Sequence, residues 1–181
     1  LSLWPAFFYC QIHGGLLTPA ECSDVLAMHA RYPTASGHLP TARECTLYWI
    51  YRDPDSDWLF ERIGNAVEEW NRNWQFDVDI GAETGLQLSR YRPGERYDWH
   101  MDTGAGECGR RKISVLIELC EPQEHGGGFE VFYGDNRDNR IRLARGDAAI
   151  FPSFVMHRAV TPAHGERWTV AAWIKGAEHF R

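Results

Sequence analysis

The chain lacks most of the features that assign a protein to a class at sight. No stretch approaches the roughly 20 apolar residues that a bilayer-spanning helix requires, so no membrane association is expected. Basic residues are not in excess. The 19 Lys and Arg against 25 Asp and Glu give a net charge of −6, which lacks the electrostatic footprint of a nucleic-acid binder. Cysteines are five, Cys10, Cys22, Cys45, Cys108 and Cys120, with no CxxC pair; an odd, scattered set reads as reduced thiols of a cytoplasmic protein and not as a disulfide framework. Internal repeats, low-complexity runs and a Pro/Gly-rich linker are also missing, so residues 1–181 read as one domain. The apolar start, residues 1–10, has neither a basic n-region nor a small-residue cleavage site, so a signal peptide is not expected.

What is present is a globular composition, 44% hydrophobic and 13% aromatic, rich enough in core-forming residues to exclude a disordered tail. The character changes near residue 85. Before it, Thr18-Pro19-Ala20-Glu21 carries a capping box with proline at the first helical position, predicting a helix to about residue 30. A strand is expected over 46–51, and a second helix opens within Asp53-Pro54-Asp55-Ser56-Asp57. Its apolar residues Leu59, Ile63, Val67, Trp70 and Trp74 recur at helical spacing and share one face. After residue 85 short strands are expected over 86–91, 112–119, 128–133, 139–144, 148–151, 159–162 and 167–174, separated by Gly-bearing turns. That spacing predicts a sandwich or double-sheet jelly roll, with the two helices against one outer face: an α+β, mainly β, domain.

The chemistry concentrates in Tyr91-Arg92-Pro93-Gly94-Glu95-Arg96-Tyr97-Asp98-Trp99-His100-Met101-Asp102. On an extended chain, residues two apart point to the same side, so His100 and Asp102 can reach one metal from a single strand end. His157 follows 55 residues later. Two imidazoles and one carboxylate form the facial triad of non-haem iron(II) oxygenases, which leaves three coordination positions open on an octahedral ion. A 2-oxo acid can fill two of them and dioxygen the third, whereas a closed four-ligand zinc site would be inert. Ten residues past His157 lies Arg167, whose guanidinium suits the far carboxylate of 2-oxoglutarate. Thr169 falls on the same strand face, and Tyr91 heads the metal-bearing segment; both are candidates to face that pocket.

These residues, with Tyr91-x-x-Gly94-x-x-Tyr97, Arg111-Lys112-Ile113-Ser114, Gly127-Gly128-x-x-Val131, Gly146-Asp147-x-x-Ile150-Phe151-Pro152-Ser153 and Trp173-Ile174-Lys175-Gly176, resemble the prolyl 4-hydroxylase-type (PKHD-like) branch of the Fe(II)/2-oxoglutarate-dependent dioxygenases. The resemblance covers about residues 85–176. It implies a double-stranded β-helix (jelly-roll) core over 85–176 with supporting helices and a strand in 1–84, Fe(II) and 2-oxoglutarate as cofactor and cosubstrate, and room for an ascorbate dependence. Within the family the residue matching Arg167 binds the distal carboxylate of 2-oxoglutarate, and the one near Tyr91 often assists. The branch points to hydroxylation of an amino-acid side chain, prolyl or lysyl, free or in a peptide, with loss of succinate and CO2. Two other classes stand beside it. A nucleic-acid oxidative demethylase shares the triad but spaces its arginines differently, and a non-catalytic jelly-roll binding module should lack a ligand or the arginine. Segments 34–44 and 103–110 are the expected shapers of substrate choice, the second as a Gly-rich lid. Tyr97 and Trp99 read as core or substrate contacts. His125 reads as a turn residue, with a place at the pocket rim as the alternative, and Arg137 and Arg140 read as a solvated face, with contact to an acidic substrate group as the alternative.

Overall fold

The capping chemistry at Thr18 is realised in full. The Thr18 hydroxyl accepts from the Glu21 N–H at 3.2 Å and the Glu21 carboxylate from the Thr18 N–H at 2.8 Å. Together they close the start of α1 (Pro19–Ala27), which tightens into a 3-10 turn over Met28–Arg31. The structure, a computed structural model, describes residues 10–39, 41–81, 85–132, 134 and 140–179. Helix α2 (Asp57–Trp74) begins where Asp53 offers its carboxylate to the N–H groups of Asp55 and Ser56, at 3.0 and 2.9 Å. Leu59, Ile63 and Val67 are buried, and Trp70 and Trp74 pack half-buried against the same core. A third helix, α3 (Pro122–His125), is a single turn. No helix among the described residues is long and apolar enough to cross a membrane.

The strands, in chain order, are β1 (Gln11–His13), β2 (Ala35–Ser36), β3 (Arg43–Glu44), β4 (Thr46–Tyr51), β5 (Gly85–Tyr91), β6 (Arg96–His100), β7 (Arg111–Glu118), β8 (Gly128–Val131), β9 (Arg140–Ile141), β10 (Ala148–Pro152), β11 (His157–Val160) and β12 (Arg167–Lys175). They build two antiparallel sheets, one ordered β1-β10-β7-β12-β5-β4-β2 and the other β3-β6-β11-β8-β9. This is the mainly β jelly-roll architecture with supporting helices.

Several boundaries differ from expectation. The N-terminal half contributes β1, β2 and β3 as well as β4; runs of two or three residues are too short to show a period. Strand β11 starts at His157, two residues earlier than predicted, because His157 pairs with both His100 and Val131. Among the described residues of the 139–144 run, Arg140–Ile141 is strand, while Tyr133, Arg137 and Asn139 lie outside the described residues, as does most of the apolar start.

Strand alternation decides where the core and the pocket fall. In the central strands β5, β7 and β12, one row reads Leu86, Leu88, Ile113, Val115, Ile117, Val170, Ala172 and Ile174, all buried in the main core with the faces of α1 and α2. The opposite row reads Gln87, Ser89, Tyr91, Ser114, Glu118, Arg167 and Thr169, also buried, and it faces the smaller sheet. The helix-facing side is therefore sealed by hydrocarbon, and the gap between the sheets combines these polar groups with a smaller apolar cluster around Phe129, Val131 and Phe151.

One turn depends on a glycine. Gly146 has φ +90°, and a Cβ there would collide with the carbonyl oxygen of Leu17, whose N–H donates to the Gly146 carbonyl at 3.0 Å. Gly146→Ala is expected to lower the free energy of unfolding by roughly 2–3 kcal/mol, from positive-φ strain and the displaced Leu17 contact, read by urea denaturation.

Candidate metal and cosubstrate site

Strands β6 and β11 lie side by side in the smaller sheet, and their register sets His157 opposite His100. The chain leaves β6 after His100, and Asp102 is caught by backbone: its N–H and that of Thr103 both donate to the Ser153 carbonyl, at 2.9 and 3.1 Å. The three side chains converge. His100 Nε2 lies 3.7 Å from Asp102 Oδ1 and His157 Nε2 lies 3.6 Å from Asp102 Oδ2. All three ligand atoms fall within 4.8 Å of one another, close enough for one ion to touch each.

Their surroundings fix how they point. His100 Nδ1 is 2.7 Å from the Asp98 carbonyl and His157 Nδ1 is 2.9 Å from the Val155 carbonyl. A carbonyl only accepts, so each Nδ1 carries the proton and each Nε2 lone pair is left for a metal. Burial, followed by repulsion from His157, lowers the His100 pKa to about 4, which keeps the ring neutral and able to ligate at neutral pH. Ser114 donates its hydroxyl proton to Asp102 Oδ2 at 2.6 Å, and Ser153 sits 2.9 Å behind Ser114 Oγ. Arg111 donates to the Asp102 carbonyl at 3.2 Å and lies over the Trp173 ring. Tyr97 stacks on His100, with ring centroids 3.4 Å apart and planes 11° from parallel.

The same pocket is lined by Arg167, Thr169, Tyr91, Ser89, Gln87 and Arg43. Arg167 is fully buried. Its Nε donates to Glu118 Oε2 at 2.9 Å, and Nη2 lies 2.8 Å from the same oxygen. That second contact lacks hydrogen-bond alignment, so Nη1 and Nη2 are both buried without a hydrogen-bond partner. Leaving such donors unmet costs roughly 1–3 kcal/mol apiece; a ligand carboxylate in the pocket would meet them. Tyr91 and Thr169, neighbours of Arg167 across and along the strand, are buried beside it. The donor set thus fits a small anion with an acidic far end at Arg167 and a metal-binding near end.

The sequence pattern of the 2OG-Fe(II) oxygenase superfamily matches residues 86–175, the segment that carries all six of these predicted site residues. The chain belongs to the 2OG-Fe(II) oxygenase superfamily. Among its relatives are the PKHD-type hydroxylase of Maricaulis maris, 32% identical over 90 residues (50% of this chain, 41% of the relative), and that of a Picosynechococcus strain, 29% identical over 124 residues (67% and 55%). The chain thus spans about half the length of these curated relatives. In fold it is similar to a Pseudomonas putida prolyl-4-hydroxylase, with TM-score 0.78 at 20% identity over 96% of this chain and 95% of that one. A viral collagen prolyl hydroxylase of Paramecium bursaria Chlorella virus-1 superposes with TM-score 0.70 at 20% identity, covering 93% and 97%.

Other expectations resolve differently. Tyr97 lines the pocket of this superfamily member, but Trp99 packs outside it, edge-on to Phe132 and under Arg158. The 103–110 segment carries a 3-10 turn (Gly106–Arg110) and is tied down, by Arg110 to the Gly176 carbonyl at 3.0 Å and by Glu107 to Lys175 at 3.2 Å. His125 is not a rim residue: it is buried at the end of α3, with its Nε2 3.7 Å from Glu118 Oε1. Glu118 and the hydroxyl bond of Ser114 were not read from the sequence, although both lie on the inward face of one strand. A polar residue alternating with Ile113, Val115 and Ile117 is the signal that was there to be used.

His125 has a consequence for stability. Its Nδ1 accepts from the Gly127 N–H at 2.9 Å, and burial, then the Arg167 charge, lowers its pKa to about 4 from 6.5. Between these values the unfolded chain binds the proton and the folded chain does not, so this residue's contribution to stability falls as pH drops from about 6.5 to about 4. His125→Gln is expected to flatten that part of the slope relative to wild type, in denaturant midpoints taken across pH 4 to 7.

Proposed function

We propose that the protein is an Fe(II)- and 2-oxoglutarate-dependent dioxygenase that hydroxylates an amino-acid side chain, prolyl or lysyl, free or within a peptide. Fe(II) would be held by His100, Asp102 and His157, and 2-oxoglutarate by Arg167 with help from Tyr91 and Thr169. The observation that carries this reading is one pocket holding three convergent ligand atoms and a buried arginine with unmet donors. Superfamily membership and the names of the relatives, PKHD-type and prolyl hydroxylases, support the reaction class.

When bound, the iron and 2-oxoglutarate supply oxygen activation: one atom of dioxygen goes to the substrate C–H bond, and the other leaves in succinate as CO2 is lost. The chain's own residues do the rest. Asp98 and Val155 carbonyls hold both imidazoles in the metal-binding tautomer. Ser114 and Arg111 fix the side chain and backbone of Asp102. Phe129 and Phe151 pack against the His157 ring, with centroids 5.5 and 4.8 Å away, and keep water from that side of the site. An intact Asp102 favours hydroxylation over transfer of a halide, which needs an open position where the carboxylate would bind.

Anaerobic addition of Fe(II) and then 2-oxoglutarate should give wild-type protein a weak visible charge-transfer band. His157→Ala should abolish it, and Arg167→Gln should need roughly 10- to 100-fold more 2-oxoglutarate, the worth of a charge-assisted hydrogen bond. A metal-loaded wild type without the band would sink the dioxygenase reading. Ser114→Ala should keep the band but weaken Fe(II) binding by about tenfold, as loss of an outer partner to a ligating carboxylate does, in a competition titration with a chelator.

A further inference from the structure

A charge taken out of water is stable when an opposite charge meets it, and the two arginines of this pocket differ in that respect. Arg167 has its counter-ion built in, because Glu118, itself buried on β7, lies against its Nε and Nη2. His125 lies on the far side of the Glu118 carboxylate, beyond hydrogen-bond reach. The Gly127 N–H occupies Nδ1 of that ring, so the neutral ring carries its proton on Nε2, 3.7 Å from Glu118 Oε1. Burial pushes the Glu118 carboxyl up, and the Arg167 charge and hydrogen bond pull it back; in its ionised form Glu118 leaves Arg167 with aimed donors but no net positive charge.

Arg43 is the opposite case. It enters the pocket from the short edge strand β3, outside the segment matched by the superfamily pattern. Its partners are all neutral. Nη2 donates to Gln87 Oε1 at 2.5 Å, Nε to Cys45 Sγ at 3.2 Å, and the guanidinium lies 4.6 Å from the centre of the Tyr97 ring. Among the described residues no carboxylate lies within ion-pair distance of it. Arg43, Tyr91 and Arg167 line the same pocket, and the buried Tyr91 phenol, paired across the strands with Arg167, feels the charges of both guanidinium groups; Arg43 also reaches toward the triad through Tyr97, which stacks on His100.

An Fe(II) ion with Asp102 carries a single surplus positive charge, which the chelating carboxylate of a 2-oxo acid cancels. A distal carboxylate then needs one more positive charge. Arg167, already neutralised, does not supply it. We propose that Arg43 is a second cosubstrate-binding residue, supplying the net positive charge that holds the distal carboxylate of 2-oxoglutarate, while Arg167, neutralised by Glu118, supplies the aimed hydrogen-bond donors. This rests on the 2-oxoglutarate reading above.

The test titrates 2-oxoglutarate into anaerobic, Fe(II)-loaded wild type, Arg43→Gln, Arg43→Lys, Glu118→Gln and the Arg43→Gln/Glu118→Gln double variant, following the absorbance band. A parallel series uses 2-oxobutyrate, which chelates identically but has no distal carboxylate. Arg43→Gln should weaken 2-oxoglutarate binding by roughly tenfold or more and leave 2-oxobutyrate unchanged, and Arg43→Lys should recover most of the loss. Glu118→Gln keeps an acceptor for Arg167 Nε but frees its charge, so 2-oxoglutarate should bind roughly tenfold tighter, and the double variant should return toward wild type. Three results each overturn the proposal: unchanged 2-oxoglutarate affinity in Arg43→Gln, equal weakening of both acids, or weaker 2-oxoglutarate binding in Glu118→Gln. If Arg167→Gln loses 2-oxoglutarate while Arg43→Gln does not, only this inference falls. Without a band in wild type, the cosubstrate reading falls and takes this inference with it.

Discussion

The period-two alternation of the three central strands is the constraint on which the rest depends. Each of β5, β7 and β12 turns hydrocarbon toward the helices and polar groups toward the second sheet. A sheet face of that kind cannot be left dry and unpaired, since a buried polar group without a partner costs more than a hydrogen bond returns. The structure meets the cost by pairing across strands: Ser114 with Asp102 and Ser153, Arg167 with Glu118, and Gln87 with Arg43. What stays unpaired after this is confined to a few atoms, chiefly the Arg167 Nη nitrogens, Glu118 Oε1 and His125 Nε2. The interior is thus polar by design of the strand pattern, and its remaining donors mark where a ligand belongs.

The backbone acts as the instrument that sets proton positions. Carbonyls of Asp98 and Val155 put the proton of His100 and His157 on Nδ1, while the N–H of Gly127 forces it onto Nε2 in His125. The first two rings present lone pairs where a metal fits, and the third turns its N–H toward Glu118, 3.7 Å away and short of a hydrogen bond. Three histidines of one chain therefore take two different tautomers for a reason visible in peptide groups two residues away. Low basicity accompanies both tautomers, since burial is the first cause of the downward shift in His100 and in His125.

Legibility in the sequence followed the range of the interaction. His100 and Asp102 are two residues apart, and His157 and Arg167 come at recognisable intervals, so the triad and the arginine could be named before any fold was known. Thr169 followed from alternation along a predictable strand and Tyr91 from its place at the head of the metal-bearing segment, and the structure puts both in the same pocket. Glu118 could not be placed against Arg167, because that pair is set by the register of β7 against β12, 49 residues apart in the chain. Arg43 was further out of reach. Its strand is two residues long, and nothing local tells such a strand from a loop. The Gly-rich 103–110 segment suggested a lid, but glycine reports conformational freedom of the chain and not the Glu107–Lys175 ion pair or the hydrogen bond from Arg110 to the Gly176 carbonyl.

That contrast bears on how the two halves of the chain divide the work. The segment matched by the superfamily pattern contains the metal-facing triad, Arg167 and the strands that hold them. The N-terminal half does more than cover the outer face of the larger sheet with α1 and α2. Its strand β4 pairs with β5, and its strand β3 forms an edge of the smaller sheet, with Arg43 opposite Tyr97. An edge strand makes only one ladder, so its side chains can change with little effect on the sheet. A charge at Arg43 therefore enters the pocket from an edge strand, one ring away from His100 through Tyr97. The His100–Asp102–His157 cluster is thus set by interior strands β6 and β11 and the loop after β6, while Arg43 reaches the same pocket from an edge.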